Sequence, residues 1–136
     1  MKSLLPLVLV IGLASGYGFW YQRSRGTVKV KSGQALITEA MIGSALGSRA
    51  TLVQFSTAFC TPCRATRVLL QNVVADMDDV AHVEVDAEAQ LELVRTLNIM
   101  STPTTLILDS HGLEVGRAVG APKREQVITA LSAIRK

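Results

Sequence analysis

The feature that most restricts the fold of this chain is a cysteine pair placed between a strand-like run and a helix-like run. Residues Thr51–Ser56 are rich in apolar and β-branched side chains, which is typical of a short buried strand. Cys60 and Cys63 follow within a few residues. Beyond Pro62, apolar residues recur at helical spacing, at Leu70, Val73, Val74 and Met77. The pattern predicts a strand, a tight turn and a helix directly around the cysteines.

The spacing of the two cysteines predicts a redox-active dithiol. A cysteine at a helix N-terminus faces unpaired backbone N–H groups and the positive end of the helix dipole, which favour the thiolate. Cys60 has this place, so we expect it to be the attacking nucleophile. Cys63 lies about one turn further on and would resolve a mixed disulfide at Cys60. Between them, Thr61 is small and polar, and Pro62 suits the first helical turn.

Two other roles for the cysteine pair have to be weighed. A structural zinc site needs about four ligands, and the remaining candidates, His82 and His111, are isolated in the sequence. A purely structural disulfide would close a very short loop and so constrain the unfolded chain only slightly. We therefore expect no metal and no organic cofactor, only the redox-active disulfide Cys60–Cys63. A zinc-binding module stays open as a third reading.

A charge-free apolar segment, Leu4–Tyr21, sets the N-terminal part of the chain apart. As a helix it would extend about 27 Å, close to the hydrocarbon thickness of a bilayer. Its aromatic residues cluster at the C-terminal end, as at a membrane interface: Tyr17, Phe19, Trp20 and Tyr21. We interpret residues 1–21 as a single-pass membrane anchor that contacts the lipid bilayer through residues 4–21. The alternative is a cleaved secretory signal with Lys2 as its basic start.

The flanking charges bear on the side of the membrane that the domain occupies. Lys2 precedes the apolar segment, whereas four basic residues follow it: Arg23, Arg25, Lys29 and Lys31. Cytoplasmic flanks are usually the more basic, so this distribution favours a cytoplasmic domain, with an extracytoplasmic domain as the alternative. The formal net charge is only +3, and the basic residues match no nucleic-acid motif, so we expect no nucleic-acid partner.

The remaining chain divides into a polar juxtamembrane linker, residues 22–34, and one domain, residues 35–136. The linker contains glycines and a candidate edge strand at Thr27–Lys31. In the domain, Ile37–Leu46 predicts a helix with Thr38 as its N-cap. Further strands are predicted at Val80–Val85, Thr104–Leu108 and Leu113–Ala118, and further helices at Ala87–Leu97 and from Pro122. The resulting element order, β-α-β-α-β-β-α, is of the α/β class.

A second motif makes the pattern typical of one family. About forty residues after the cysteines, Ser101-Thr102-Pro103-Thr104 leads into a predicted β-hairpin and a terminal helix. Together with Phe59-Cys60-Thr61-Pro62-Cys63 after a strand, this motif resembles the thioredoxin family over residues 35–136. The resemblance implies a thioredoxin fold, a central mixed β-sheet flanked by helices, here preceded by one N-terminal transmembrane helix.

The resemblance also implies roles for residues near the dithiol. Pro103 would be a cis proline packed beside the cysteines, and the backbone of Thr102 would pair with an extended substrate segment. A cis X–Pro bond is uncommon and has to be held by its surroundings. Gly120 matches the glycine that leaves room for a partner surface. The implied substrates are disulfide-containing proteins, and a separate, unidentified electron donor would reset the pair.

Three positions depart from the family pattern. Phe59 stands where tryptophan is common, which keeps an aromatic shield but loses the indole N–H donor. Gln54 replaces a buried aspartate, and a glutamine cannot act as a carboxylate base for Cys63. His82 replaces the usual lysine partner of that aspartate. We put forward His82, together with Gln54, as a proton relay for Cys63; the alternative is a partly exposed strand histidine without a catalytic role.

The predicted function is that of a thiol–disulfide oxidoreductase, and specifically of a reductase of protein disulfides. Its Cys60-Thr61-Pro62-Cys63 dithiol would carry the reaction. The alternative is a membrane-tethered docking module of the same fold with little turnover, because the altered proton path would slow the resolving thiol.

Overall fold

The computed structural model describes residues 4–24, 28–30 and 35–135. Its helices are α1 (Leu4–Ser24), α2 (Glu39–Ile42), α3 (Thr61–Val74), α4 (Leu91–Thr96) and α5 (Arg124–Ser132). Its strands are β1 (Val28–Val30), β2 (Ala50–Ser56), β3 (Val80–Asp86), β4 (Thr104–Asp109) and β5 (Glu114–Val119).

A five-stranded mixed sheet, in the order β1-β5-β4-β2-β3, forms the centre of the described chain. Strand β2 runs parallel to β3 and antiparallel to β4, and β5 runs antiparallel to β4. All seven residues of β2 are buried, which explains why this strand reads as a continuous run rather than an alternating one. The predicted fold class is confirmed: a central mixed sheet flanked by helices and preceded by one long apolar helix.

Successive residues of β2 face two separate apolar layers. Leu52 belongs to one buried cluster with Leu70 of α3 and Leu131 of α5. Val53 and Phe55 belong to a second cluster on the other face, which includes residues of α2 and α4. Burying a side chain of this size contributes about 1.5–3 kcal/mol. The first of these layers therefore holds α3, and with it the cysteine pair, firmly against the sheet.

The prediction of a helix over Ile37–Leu46 is wrong in its length, because α2 is a single turn. Ile37 donates its N–H to the carbonyl oxygen of Gly112 at 2.8 Å, which draws this segment toward the β4–β5 turn instead. Gly43 ends the turn in the left-handed region, with φ 68°. Thr38 has the N-cap position, but its side chain makes no capping hydrogen bond. Gly43, rather than the apolar spacing that continues beyond it, therefore sets the end of α2.

The other elements agree with the predicted ones apart from their ends. Helix α4 begins at Leu91 rather than Ala87. The residues before it form a turn in which the N–H of Glu88 donates to the side chain of Asp86 at 2.9 Å. Helix α5 begins at Arg124, shortly after its predicted start. Such shifts are ordinary, because element ends depend on caps and turns more than on periodicity.

The N-terminal helix α1 continues past the predicted apolar segment to Ser24. Over Leu4–Arg23 it is long and apolar enough to cross a membrane. Strand β1 then forms within the candidate edge strand and pairs antiparallel with β5, with Val28 opposite Ala118. The segment predicted as a linker, residues 22–34, therefore supplies the end of α1 and an outer strand of the sheet.

Candidate active site

The two cysteines lie at the junction of β2 and α3, where the sequence pattern placed them. Cys60 is the N-cap residue of α3, and its Sγ accepts a hydrogen bond from the N–H of Cys63 at 3.2 Å. Pro62 lies in the first turn of the helix, where its missing N–H has no helical partner to lose. Cys60 and Cys63 are joined by a disulfide, with their Cα atoms 5.2 Å apart.

Burial distinguishes the two sulfur-bearing residues. Cys63 is only 1% exposed, whereas Cys60 is partly exposed and is followed by the exposed residues Thr61 and Pro62. A disulfide or thiol from outside can therefore approach the Cys60 side of the pair. Cys63 is reached from within the domain, which suits a residue that attacks an intermediate rather than a substrate.

The peptide bond between Thr102 and Pro103 is cis, as the resemblance implied. The Thr102 hydroxyl lies 4.0 Å from Cys60 Sγ and 3.4 Å from the hydroxyl of Thr57, which brings this turn against the dithiol. Gly120 donates its N–H to the carbonyl oxygen of Pro103 at 2.8 Å and has φ 88°, in the region that favours glycine. Thr102, Pro103 and Gly120 border one open cavity of about 650 Å³, which Pro62, between the two cysteines, also lines.

An ion pair supports the segment that leads into the cis proline. Arg117 donates from Nε to Glu114 Oε1 at 2.8 Å, and Glu114 is only 3% exposed. A second nitrogen of Arg117 donates to the carbonyl oxygen of Leu97 at 2.8 Å, at the end of α4. The guanidinium thereby fills an acceptor that the helix terminus leaves unpaired. It also ties the loop before Met100 to β5.

Gln54 lies fully buried beneath the cysteines and joins three elements. Its Nε2 donates to the carbonyl oxygen of Cys63 at 2.8 Å and to Ser56 Oγ at 3.0 Å. Its Oε1 lies 3.1 Å from Nε2 of His82. With both amide hydrogens used, Oε1 is the acceptor, so Nε2 of His82 carries the hydrogen. Gln54 therefore bridges β2, β3 and the first turn of α3 without being able to take up a proton.

His82 meets Gln54 rather than the sulfur of Cys63. Burial lowers the pKa of His82, and the nearby Arg67 lowers it further, while the carboxylate of Glu84 opposes both effects. The ring is therefore neutral near pH 7. With its Nε2 hydrogen on Gln54, the neutral ring has Nδ1 as its proton acceptor.

A cavity of about 150 Å³ beside the dithiol brings in charged residues that the sequence interpretation missed. Both cysteines line it, together with Arg67 of α3 and Glu84 of β3, which form an ion pair. Arg67 lies four residues after Cys63, and Glu84 lies two residues after His82. Helical and strand spacing place such residues on shared faces, so this spacing was a signal that could have found them.

Phe59 does not form the expected shield over the dithiol. Its side chain is 99% exposed, so it projects into solvent beside the cysteines. Two other apolar residues next to the site are also exposed: Met100 is 87% and Val119 is 45% exposed. They adjoin the segments that carry Pro103 and Gly120. Exposed apolar residues in such a position are typical of a surface that binds another protein.

Within the described ranges, no cluster of three or more His, Cys, Asp or Glu side chains is placed to hold a metal ion. The chemistry that the arrangement offers is that of its sulfur pair. A mixed sheet with a disulfide at the N-terminus of a helix and a cis proline beside it defines a thiol–disulfide oxidoreductase.

Comparison with known proteins agrees with this class. The thioredoxin family model matches residues 37–133, and the chain belongs to the thioredoxin family. It is 33% identical over 88 residues to a thioredoxin of Mycolicibacterium smegmatis, which covers 62% of this chain and 78% of that protein. It is also 33% identical over 78 residues to Thioredoxin H2-1 of Oryza sativa subsp. japonica, of which it spans 56%.

Solved structures show the same fold. Thioredoxin NaTrxh from Nicotiana alata superposes with a TM-score of 0.58 at 26% identity, over 65% of this chain and 76% of that one. The thioredoxin of Fasciola hepatica superposes with a TM-score of 0.57 at 21% identity, over 65% of this chain and 84% of that one. Both superpositions leave out about a third of this chain.

Proposed function

We propose that this chain is a membrane-tethered reductase of protein disulfides, with Cys60 as the nucleophile and Cys63 as the resolving thiol. The observation that carries the proposal is the unequal burial of the two residues at the start of α3. Cys60 is partly exposed, while Cys63 is 1% exposed and donates its N–H to Cys60 Sγ at 3.2 Å. The chain with its disulfide closed is the oxidised end of the cycle.

In the reduced protein, the Cys60 thiolate attacks one sulfur of a substrate disulfide. A bond forms between Cys60 Sγ and that sulfur, the substrate S–S bond breaks, and the other substrate sulfur leaves as a thiolate that takes up a proton. Cys63 then loses its proton and attacks Cys60 Sγ. The Cys60–Cys63 disulfide forms and the second substrate thiol is released. Two electrons have passed to the substrate, and an external dithiol donor returns two electrons to the pair.

The surroundings of Cys60 support its role as the nucleophile. The backbone N–H of Cys63 and the helix N-terminus stabilise negative charge on the sulfur. The cis Thr102–Pro103 turn offers a backbone edge beside the sulfur, where an extended substrate segment can pair. Gly120 has no side chain to obstruct that segment. The exposed apolar side chains next to the site, namely Phe59, Met100 and Val119, provide apolar contacts for the partner protein.

For the proton of Cys63 we propose that His82 is the acceptor and that Gln54 positions it. The hydrogen bond from His82 to Gln54 orients the ring, and Gln54 in turn contacts the backbone of Cys63 at 2.8 Å. Because burial lowers the pKa of His82, the ring is in its neutral, proton-accepting form near neutral pH. Cys63 lines the 150 Å³ cavity together with Arg67 and Glu84, the two charged residues that also act on the His82 ring.

We further propose that α1 anchors the protein in a membrane with the catalytic domain on the cytoplasmic side. The length and apolar character of α1 support the anchor. The basic residues that follow it, compared with Lys2 alone before it, support the orientation. Protease accessibility of the C-terminal domain in intact cells and in inverted vesicles tests the topology, since protection in inverted vesicles would place the domain on the outer side.

Insulin reduction by the full chain in detergent or nanodiscs tests the enzyme. The wild-type chain should reduce insulin in the presence of a dithiol, whereas Cys60→Ser should reduce it no faster than the dithiol alone. Equal rates for the two proteins would overturn the reductase. That outcome would favour the second candidate, a docking module with little turnover, which the substitution of Gln54 for an acidic base supports.

A further inference from the structure

Strand β1, which follows α1 in the chain, enters the sheet at the same end as the dithiol. Strand β5 runs toward Gly120, which bonds to Pro103 beside the cysteines. Strand β1 runs antiparallel to β5, so its first residue, Val28, lies opposite Ala118 near that end. Paired Cα atoms in antiparallel strands are about 5 Å apart. The chain therefore enters the domain close to the active site.

The reach of the intervening chain is short. Three residues separate Ser24, the end of α1, from Val28. Whatever conformation they have, a chain extends at most about 3.6 Å per residue, so α1 ends within about 14 Å of Val28. Entry at the opposite end of the sheet would instead place the dithiol farther from the anchor by the length of a strand, roughly 20 Å for six residues.

A second observation points the same way. Gln22, in the last turn of α1, lines the same 650 Å³ cavity as Pro62, Thr102, Pro103 and Gly120. Close to Gln22 on the same helix, Tyr17 and Tyr21 stack with their ring centroids 6.1 Å apart. Aromatic residues at the end of a membrane helix sit at the level of the lipid headgroups. The 650 Å³ cavity beside the dithiol is therefore next to the headgroup layer.

We propose that the face of the domain that carries Cys60, Thr102 and Gly120 is turned toward the membrane surface. This catalytic face acts on disulfides of membrane-embedded proteins that lie at headgroup level. This inference rests on the proposed function. The exposed residues around the face suit such a place: Phe59 and Met100 are apolar, and Lys123 and Arg124, which follow Gly120, are cationic. Apolar and cationic side chains are the ones that an anionic lipid interface accepts.

A lipid-borne disulfide measures the height of the site above the membrane. The full chain is reduced and freed of the reductant in nanodiscs of phosphatidylcholine and phosphatidylglycerol, and a phosphatidylethanolamine with a pyridyl disulfide on its headgroup is then added. Attack by Cys60 breaks the pyridyl S–S bond and releases pyridine-2-thione, which is followed by absorbance. Cys63 then displaces the lipid thiol. A second lipid carries the same group on a long poly(ethylene glycol) spacer.

The wild-type chain should react about tenfold faster with the headgroup-level disulfide than with the spaced one, because its site is held at that height. A variant with a flexible Gly-Ser insertion of about 20 residues between Gly26 and Thr27 should lose this preference, since its site samples many heights. Equal rates for the two lipids with the wild-type chain, or a faster reaction of the spaced one, would overturn the inference.

Insulin reduction by the same nanodiscs separates this inference from the proposed function. If the wild-type chain and the insertion variant both reduce insulin but show no difference between the lipids, the orientation is wrong and the reductase stands. If neither reduces insulin faster than Cys60→Ser, the reductase is wrong and the inference falls with it.

Discussion

The substitution Gln54→Ala tests how far the buried amide holds the active site together. The change removes hydrogen bonds to the carbonyl oxygen of Cys63 at 2.8 Å, to Ser56 Oγ at 3.0 Å and to the ring of His82 at 3.1 Å. Each contributes about 1 kcal/mol net. The side chain is 0% exposed, so its loss leaves a cavity that adds about 1 kcal/mol or more. We expect the free energy of unfolding to fall by about 4 kcal/mol.

Urea unfolding of the full chain in a mild detergent, followed by circular dichroism at 222 nm, measures this loss. We expect helix α1 to stay helical in the detergent, so the cooperative transition should report on the sheet and the helices packed against it. The midpoint should move to lower urea with an unchanged slope, since the surface exposed on unfolding is nearly the same. A loss of this size is a large part of the total stability of a domain, about 5–15 kcal/mol.

Gln71→Ala is the matched control. Gln71 is an exposed residue of α3, so the same change there should alter stability by no more than about 0.5 kcal/mol. A loss under about 1 kcal/mol for Gln54→Ala, or equal losses for the two variants, would refute the reasoning. In that case the three hydrogen bonds would contribute no more to the free energy of unfolding than the hydrogen bonds with water that replace them in the unfolded chain.

Three further substitutions test the site and its support. Cys63→Ser should accumulate a mixed disulfide between Cys60 and the substrate, visible as a reducible band on gels; release of substrate at the wild-type rate would contradict the resolving role. His82→Ala should slow turnover and change its dependence on pH between 5 and 8, and an unchanged profile would remove the proton relay. Because the pKa of His82 is lowered in the folded state, the stability that its neutral ring contributes is complete above its unfolded pKa of about 6.5 and is lost as pH falls through the folded pKa. In His82→Ala, the free energy of unfolding should therefore fall less steeply with decreasing pH in this range. Gly112→Ala should lower the melting temperature by several degrees, because φ is 84° and a Cβ would collide with the Ile37 carbonyl oxygen; an unchanged melting temperature would count against this reading of the turn.

The local part of the active site could be read directly from the amino-acid order. The buried run of β2, the cysteines and the apolar spacing of α3 are consecutive in the chain, and each is a property of a few neighbouring residues. Cys60 at the helix N-cap follows from that continuity. The cis bond before Pro103 was expected from the family resemblance rather than from spacing, since most X–Pro bonds are trans.

Features that depend on contacts between distant segments could not be read in this way. Ile37 donates its N–H to the carbonyl oxygen of Gly112 in the β4–β5 turn, and the helical periodicity of the segment contains no information about that partner. The pairing of Arg67 with Glu84 needs both the face of α3 and the face of β3, and the register between them. The full exposure of Phe59 depends on which surfaces meet around the turn, not on its aromatic character.

The position of the dithiol relative to helix α1 also depends on contacts between distant segments. Composition and hydropathy were enough to identify a long apolar helix, because both are sums over neighbouring residues. The edge that β1 joins and the direction in which it runs are decided by backbone hydrogen bonds to β5, more than eighty residues away in the chain. Short strands carry little information about their partner. The chemistry close to the cysteines is therefore determined by neighbouring residues, whereas its position relative to helix α1 is determined by the pairing of strands in the folded sheet.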